Sequence, residues 1–301
     1  MNDVVLPQRL QEGDRVAVVA PSGRVDAGRL ARGVEYVRSW GLEVDVMPSV
    51  LAGHERFKYL AADDKARAED LRHAWLDPQY AAVLCARGGY GVQRMLEYVD
   101  FDELVAVPKW FVGFSDITAL HEPLNARGLV TLHGPMAAAV EQLAVEEGRE
   151  RLRALLFEPE TVTDLLLGAR TLVDGVAEGL LRGGNLAMLA SSVGTPTYAP
   201  PAGVVVLEEI NEEAYQADRL LTQLLRAGWF DQVTGLVIGD FSQGGDGLDD
   251  TIRERLEPLG VPMVEGAAIG HEPLNLAVPL GLPVRLDATA GTLTPGGLGG
   301  S

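Results

Sequence analysis

Short apolar runs alternate with helix-patterned stretches through the first half of the chain, and this rhythm limits the fold more than any other feature. Residues 14–20 form an apolar run that ends in Pro21-Ser22-Gly23, the pattern of a buried strand running into a loop. Asp26 stands where a helix N-cap is expected; Leu30, Val34 and Val37 then recur at helical spacing until Gly41 stops the segment. Val44 and Val46 alternate like a strand, and residues 64–76 read as a charged helix. Residues 80–86 form a further strand, followed by the turn Arg87-Gly88-Gly89-Tyr90-Gly91 and a helix over 92–99. A last apolar run ends at Gly113, Ser115 falls at the turn, and residues 116–120 open a helix. Strands alternating with helices at this spacing predict a mostly parallel sheet covered on both faces.

The expected fold class is therefore α/β, with an N-terminal Rossmann-like or flavodoxin-like sheet domain and a second α/β domain. In such sheets ligands bind beyond the carboxyl ends of the strands, so Pro21-Ser22-Gly23, the glycine turn and Ser115 should share one edge. The rhythm lapses over about 158–173, which reads as a crossover. This gives an N-terminal domain over 1–157, a linker over 158–175 and a C-terminal domain over 176–301. In the second domain, 184–192 is helix-like, 203–207 a strongly apolar strand, and 211–227 a long helix with Leu220, Leu221, Leu224 and Leu225 on its apolar side. Residues 233–238 and 261–268 read as strands, 284–293 as terminal strands and 295–301 as a flexible tail. His-Glu-Pro-Leu-Asn occurs at both 121–125 and 271–275, with no repeat period around it.

Composition excludes several classes. A formal charge of −18 argues against broad nucleic-acid or membrane-surface binding, which want a basic field. The single cysteine, Cys85, rules out an intramolecular disulfide and a cysteine-clustered zinc site; it reads as a small buried apolar residue. No stretch reaches the roughly 18 uncharged apolar residues of a membrane span. Residues 1–13 lack the apolar core of a secretion signal, so a cytoplasmic protein is expected.

Ser115 carries the clearest chemical signal. A serine at a strand-to-helix turn is held clear of the backbone beside outward-facing N–H groups, where a hydrolase places its nucleophile; an ordinary helix N-cap is the plain alternative. A nucleophile needs a base and an acid to orient it. His54 and His73 lie in polar segments expected to be exposed. His121, six residues beyond Ser115, would stand about 120° around and about 9 Å along the same helix, a poor position for its base. His133 ends a strand, and His271 follows Gly270 at the end of another; both remain candidates. Glu208 and Glu209 end the apolar run Val204-Val205-Val206-Leu207; Glu212 and Glu213 fit the acidic first turn of the next helix. Backbone donors for an oxyanion are available in Gly88-Gly89-Tyr90-Gly91 and at Asp116 N–H. The glycine run lacks the Walker lysine and the dinucleotide spacing, and the His-Glu pairs at 54, 121 and 271 never form the zinc-peptidase motif.

Taken in order, Ala20-Pro21-Ser22-Gly23, Arg87-Gly88-Gly89-Tyr90-Gly91, Gly113-Phe114-Ser115-Asp116, Gly183-Gly184-Asn185-Leu186, Leu207-Glu208-Glu209-Ile210-Asn211-Glu212, Asp218-Arg219 and Gly270-His271 resemble the LD-carboxypeptidase family of serine peptidases, which includes the microcin-immunity peptidases. The resemblance spans about residues 16–286. It implies a triad of Ser115 as nucleophile, Glu208 as orienting acid and His271 as base, formed where the two domains meet. It implies oxyanion donors at Gly89 and Asp116 N–H, with Gly88, Tyr90 and Asn185 as substrate-contact candidates. Glu209 stands where the family usually has aspartate. The implied reaction removes C-terminal D-alanine from a murein tetrapeptide after an L-configured centre, in cytoplasmic recycling, without metal or cofactor, in a homodimer. The alternatives are a microcin-immunity-type peptidase cleaving peptidyl or aminoacyl nucleotides, and a non-catalytic ligand-binding protein on the same scaffold.

Overall fold

The computed structural model describes residues 4–296. Among these residues thirteen strands form two sheets. The first sheet takes β1 (Arg15–Val19), β2 (Glu43–Val46), β3 (Tyr80–Cys85), β4 (Trp110–Gly113) and β5 (Thr131–His133) in the parallel order β2-β1-β3-β4-β5. This is the flavodoxin-like doubly wound order, with its topological switch between β1 and β3. The inner strands β3 and β4 are apolar because helices cover both faces, and all four residues of β4 are buried, whereas the outer strand β2 alternates polar and apolar residues.

The second sheet takes β6 (Arg170–Val173), β7 (Val176–Asn185), β8 (Gly203–Ile210), β9 (Val233–Ser242), β10 (Met263–Glu265), β12 (Pro283–Asp287) and β13 (Thr292–Pro295), in the order β13-β12-β7-β8-β9-β10-β6. Its centre, β7 to β10, is parallel. The helix Ala214–Arg226 packs here through Ala217, Leu221 and Leu224 and starts with a capping box between Glu213 and Gln216.

Two segments cross the division expected from sequence. The 158–175 stretch holds β6, which pairs antiparallel with β10 and so belongs to the second sheet. β11 (Val278–Leu280) lies deep in the expected C-terminal domain yet pairs antiparallel with β5, closing the edge of the first sheet. Val278 and Leu280 are fully buried there, and each contributes roughly 1.5–3 kcal/mol by leaving water. Smaller differences concern boundaries: β10 is three residues long, β7 runs on through Asn185, and the 92–99 helix is one α-turn plus a 3₁₀ turn. The tail expected over 295–301 lies, beyond Gly296, outside the described residues.

The sheets are locked together by polar contacts as well. Asn185 N–H donates to Thr118 Oγ1 at 3.1 Å. Arg182 and Glu122 form a buried ion pair at 3.4 Å; removing either partner alone would leave an uncompensated buried charge.

His121 is buried with both ring nitrogens satisfied. Nε2–H donates to the Gly113 carbonyl and Nδ1 accepts from Thr131 Oγ–H, each at 2.8 Å; the carbonyl can only accept, which fixes the tautomer. Burial lowers its pKa from 6.5 to about 4. The unfolded chain then binds a proton that the folded protein refuses between pH 6.5 and 4, so the stability tied to neutral His121 is present above 6.5 and lost on acidification. The unfolding free-energy advantage of the wild type over His121→Phe should shrink by about 3 kcal/mol across that window, measured by urea titration at a series of pH values. A difference that stays constant with pH would count against this.

Candidate active site

Each first-sheet strand ends at the same edge, and the loops there are clamped by two buried charges. Asp116 Oδ2 accepts from Ser22 Oγ–H and from Val92 N–H. It thereby joins the loop after β1, the turn after the glycine run and the Ser115 turn. Burial pushes its carboxyl above the ordinary range, opposed by those two hydrogen bonds and the charge of Arg67. Arg67 is fully buried and donates to the carbonyls of Pro21, Ala62 and Gly91 and to Asp64. Neither clamp emerged from the sequence reading. Arg67 shares the buried helix face with Leu71 and Ala74 at i, i+4, i+7, and that spacing was the available signal.

Ser115 begins the 3₁₀ turn Ser115–Ile117 with φ +65°. A non-glycine residue in this region is strained and persists only where its surroundings hold it. Gly88 is packed against it: a Cβ on Gly88 would come within 3.0 Å of Ser115 Cβ and 3.1 Å of Oγ. Gly89, at φ +114°, extends the same loop.

In the second sheet, Glu208 sits beside a bulge. Leu207 pairs with Ile238, but Glu209 pairs with Phe241, so Gly239 and Asp240 together oppose Glu208. Side chains alternate along a strand, and this separates the two glutamates. Glu208 Oε2 lies 2.7 Å from His271 Nδ1, while its Oε1 has no partner. Glu209 instead accepts from Asn185 Nδ2, Ala187 N–H and Ile210 N–H; burial raises it to about 6 against those bonds.

The His271 loop is held from the first sheet. Gln142 Nε2 donates to the carbonyls of Gly270 and Glu272 at 3.0 and 3.1 Å. The ring packs on Phe114 with centroids 4.8 Å apart. Burial acts to lower the His271 pKa, but the Glu208 hydrogen bond and the charges of Glu208, Glu209 and Asp240 outweigh it, and the net shift is upward. Asp240, raised to about 6 mainly by burial, adds to this acidic surround.

Ser115, His271, Gly88 and Gly89 line one open cavity of about 940 Å³. Among the described residues three non-glycine positions have positive φ, Ser115, Asn211 and Gln243, and all three line it. Asn211 and Gln243 directly follow the paired residues Ile210 and Ser242.

Not every sequence candidate comes to this cavity. Asn185 is buried and caps the helix Leu186–Ser192 by accepting from Met188 N–H, with its amide spent on Glu209. Tyr90 is exposed and packs edge-on against Tyr59. His133 is buried against Phe114 with neither ring nitrogen bonded, and burial lowers its pKa well below 6.5. His54, expected to be exposed, keeps only 11% of its side chain in solvent, beside Asp63; His73 is exposed. Cys85 is fully buried. Among the described residues no cluster of His, Cys, Asp and Glu is arranged to hold a metal.

The doubly wound sheet, the strained serine on its carboxyl edge and the cavity-lining His271 backed by buried Glu208 define an α/β protein built like a serine hydrolase. Residues 16–134 match the LD-carboxypeptidase N-terminal domain and residues 178–286 its C-terminal domain. The chain belongs to the LD-carboxypeptidase family. A Streptomyces coelicolor protein that carries a carboxypeptidase name is 51% identical, with 98% of this chain and 97% of that protein covered. The murein tetrapeptide carboxypeptidase of Pseudomonas aeruginosa is 32% identical, with 91% and 93% covered. The crystal structure of muramoyltetrapeptide carboxypeptidase from Oxalobacter formigenes superposes with a TM-score of 0.77 at 29% identity, covering 93% of this chain and 97% of that one. An MccF-like protein from Bacillus anthracis shares the fold, with a TM-score of 0.84 at 24% identity over 97% and 99% of the two chains.

Two outcomes follow from the geometry. Ser115→Gly should stabilise the protein by about 1 kcal/mol in urea unfolding, because glycine relieves the positive φ; a loss of stability would show that Ser115 is unstrained. Glu208→Gln removes the largest influence holding His271 up, so any His271-dependent rate should fall about 10³- to 10⁴-fold. Its acidic limb, which lies above pH 6.5 in the wild type because His271 must be neutral to act, should move to lower pH. An unmoved limb would detach Glu208 from His271.

Proposed function

We propose that the chain is a serine carboxypeptidase that hydrolyses an LD-peptide bond and releases C-terminal D-alanine from a murein tetrapeptide. The observation that carries this reading is the 2.7 Å His271–Glu208 contact on the same cavity as the strained Ser115. With Nδ1 engaged by Glu208, His271 has Nε2 to take the Ser115 proton as Oγ attacks the carbonyl carbon. The oxyanion is stabilised by backbone N–H groups of Gly89 and Asp116, fixed beforehand by the Asp116 and Arg67 clamps. His271 then protonates the departing amine of D-alanine. Water, deprotonated by the same ring, attacks the ester and restores Ser115.

The first sheet supplies the nucleophile and the second supplies acid and base. The relatives named for murein peptides support the substrate class, and a cytoplasmic, homodimeric enzyme of peptidoglycan recycling is the setting we propose. No helix among the described residues is long and apolar enough to cross a membrane.

Incubation with the murein tetrapeptide, followed by mass spectrometry, should show loss of one alanine by the wild type. Ser115→Ala should fall to background while keeping its fold. Retained turnover in Ser115→Ala would remove the serine from the mechanism, and turnover of an aminoacyl sulfamoyl adenosine in place of the peptide would replace this substrate class with the microcin-immunity type.

A further inference from the structure

Two arginines line the cavity beside Ser115, and their situations differ. Arg29 is tied to Glu141 by a two-pronged guanidinium–carboxylate contact. Arg87 has no acidic partner among the described residues; its Nη1 donates to the Arg24 carbonyl at 2.9 Å. Its Nη2 lies 3.7 Å from the point a Cβ on Gly89 would occupy, so the guanidinium rests over the oxyanion glycine. Its chain neighbour Gly88 is the residue packed against Ser115.

The surrounding charge makes an unpaired cation consequential. The protein carries −18 overall, and Asp26, Glu141 and Glu272 also line the cavity. A substrate ending in a carboxylate therefore meets a repulsive field that only a local cation reverses. A guanidinium presents a planar fork that matches a carboxylate with two parallel hydrogen bonds. In a carboxy-terminal dipeptide unit only the amide nitrogen and one α-carbon separate the scissile carbonyl from the terminal carboxylate. A cation lying over the oxyanion loop is within that span.

We propose that Arg87 binds the C-terminal carboxylate of the residue to be released, and that this contact makes the enzyme an exopeptidase. The assignment rests on the Ser115 hydrolase reading above. It uses the arginine of the glycine turn, which the triad and the oxyanion donors leave without a role.

The test compares wild type, Arg87→Lys and Arg87→Met on an LD-linked tetrapeptide ending in D-alanine and on the same peptide ending in D-alaninamide, with kcat/KM read by mass spectrometry. Arg87 is exposed, so neither substitution removes a core side chain. The wild type should prefer the free acid by about 10- to 100-fold, the worth of a charge-assisted contact. Arg87→Met should lose about that factor on the acid and change less than about threefold on the amide, with Arg87→Lys in between. An equal loss on both substrates, or an undiminished rate on the acid, overturns the assignment while leaving the serine mechanism standing. Absence of wild-type turnover on both peptides overturns the LD-peptide substrate reading and the Arg87 assignment together.

Discussion

The strand pairing of β11 with β5 is the contact on which the site depends. Gly113 pairs with His133 and His133 pairs with Val278, so one row of the first sheet holds the end of the strand that leads into Ser115 and a segment from the far end of the chain. Adjacent strands lie about 4.8 Å apart, which places Val278 about 10 Å from Gly113. Ser115 lies just beyond one end of this row. His271 lies a short loop before the other. The far end of the chain is therefore tied into the first sheet by a ladder of strand hydrogen bonds with buried Val278 and Leu280, rather than by a surface contact free to slide. Gln142 extends the hold by binding the carbonyls on both sides of His271.

That rigidity explains why strain and buried charge are tolerated here. Ser115, Asn211 and Gln243 adopt left-handed backbone around one cavity, and each follows a strand whose position is fixed. Asp116 and Arg67 add buried polar anchors that tie three loops to one another. A buried charge is a poor source of net stability but can fix a unique conformation, and the strained Ser115 turn needs such fixing. The bulge opposite Glu208 serves the same purpose on the other side. It inserts a residue into β9 opposite Glu208, whose side chain meets His271 while Glu209, on the other face of β8, is used up beneath the neighbouring helix.

Local pattern made the doubly wound sheet legible. Its inner strands β3 and β4 are buried on both faces and so read as apolar runs, and the glycine and serine turns that follow them fall on its carboxyl edge. Ser115 was visible as a serine at a turn, though its strain was not. Glu208 and Glu209 were indistinguishable until the pleat separated them. Asn185 caps a helix away from the cavity lining, and in sequence a side chain that caps a helix and one that contacts substrate have the same polar signature. β11 could not be read as part of the first sheet: three residues carry little periodicity, and their pairing is set by tertiary contacts more than 140 residues away, as Val278 with His133 shows. Family resemblance, resting on an ordered set of short motifs, supplied the triad that spacing alone left open.

The central claim is that a hydroxyl on one sheet is activated by an imidazole delivered from the other. The direct measurement is the rate at which a fluorophosphonate or a peptidyl phosphonate labels the protein, with the modified residue mapped by mass spectrometry, in the wild type and in His271→Ala. The account predicts a single adduct on Ser115 that forms about 10³-fold more slowly without His271. Labelling of Ser115 at the same rate in both proteins, or an adduct elsewhere in the chain, would contradict it.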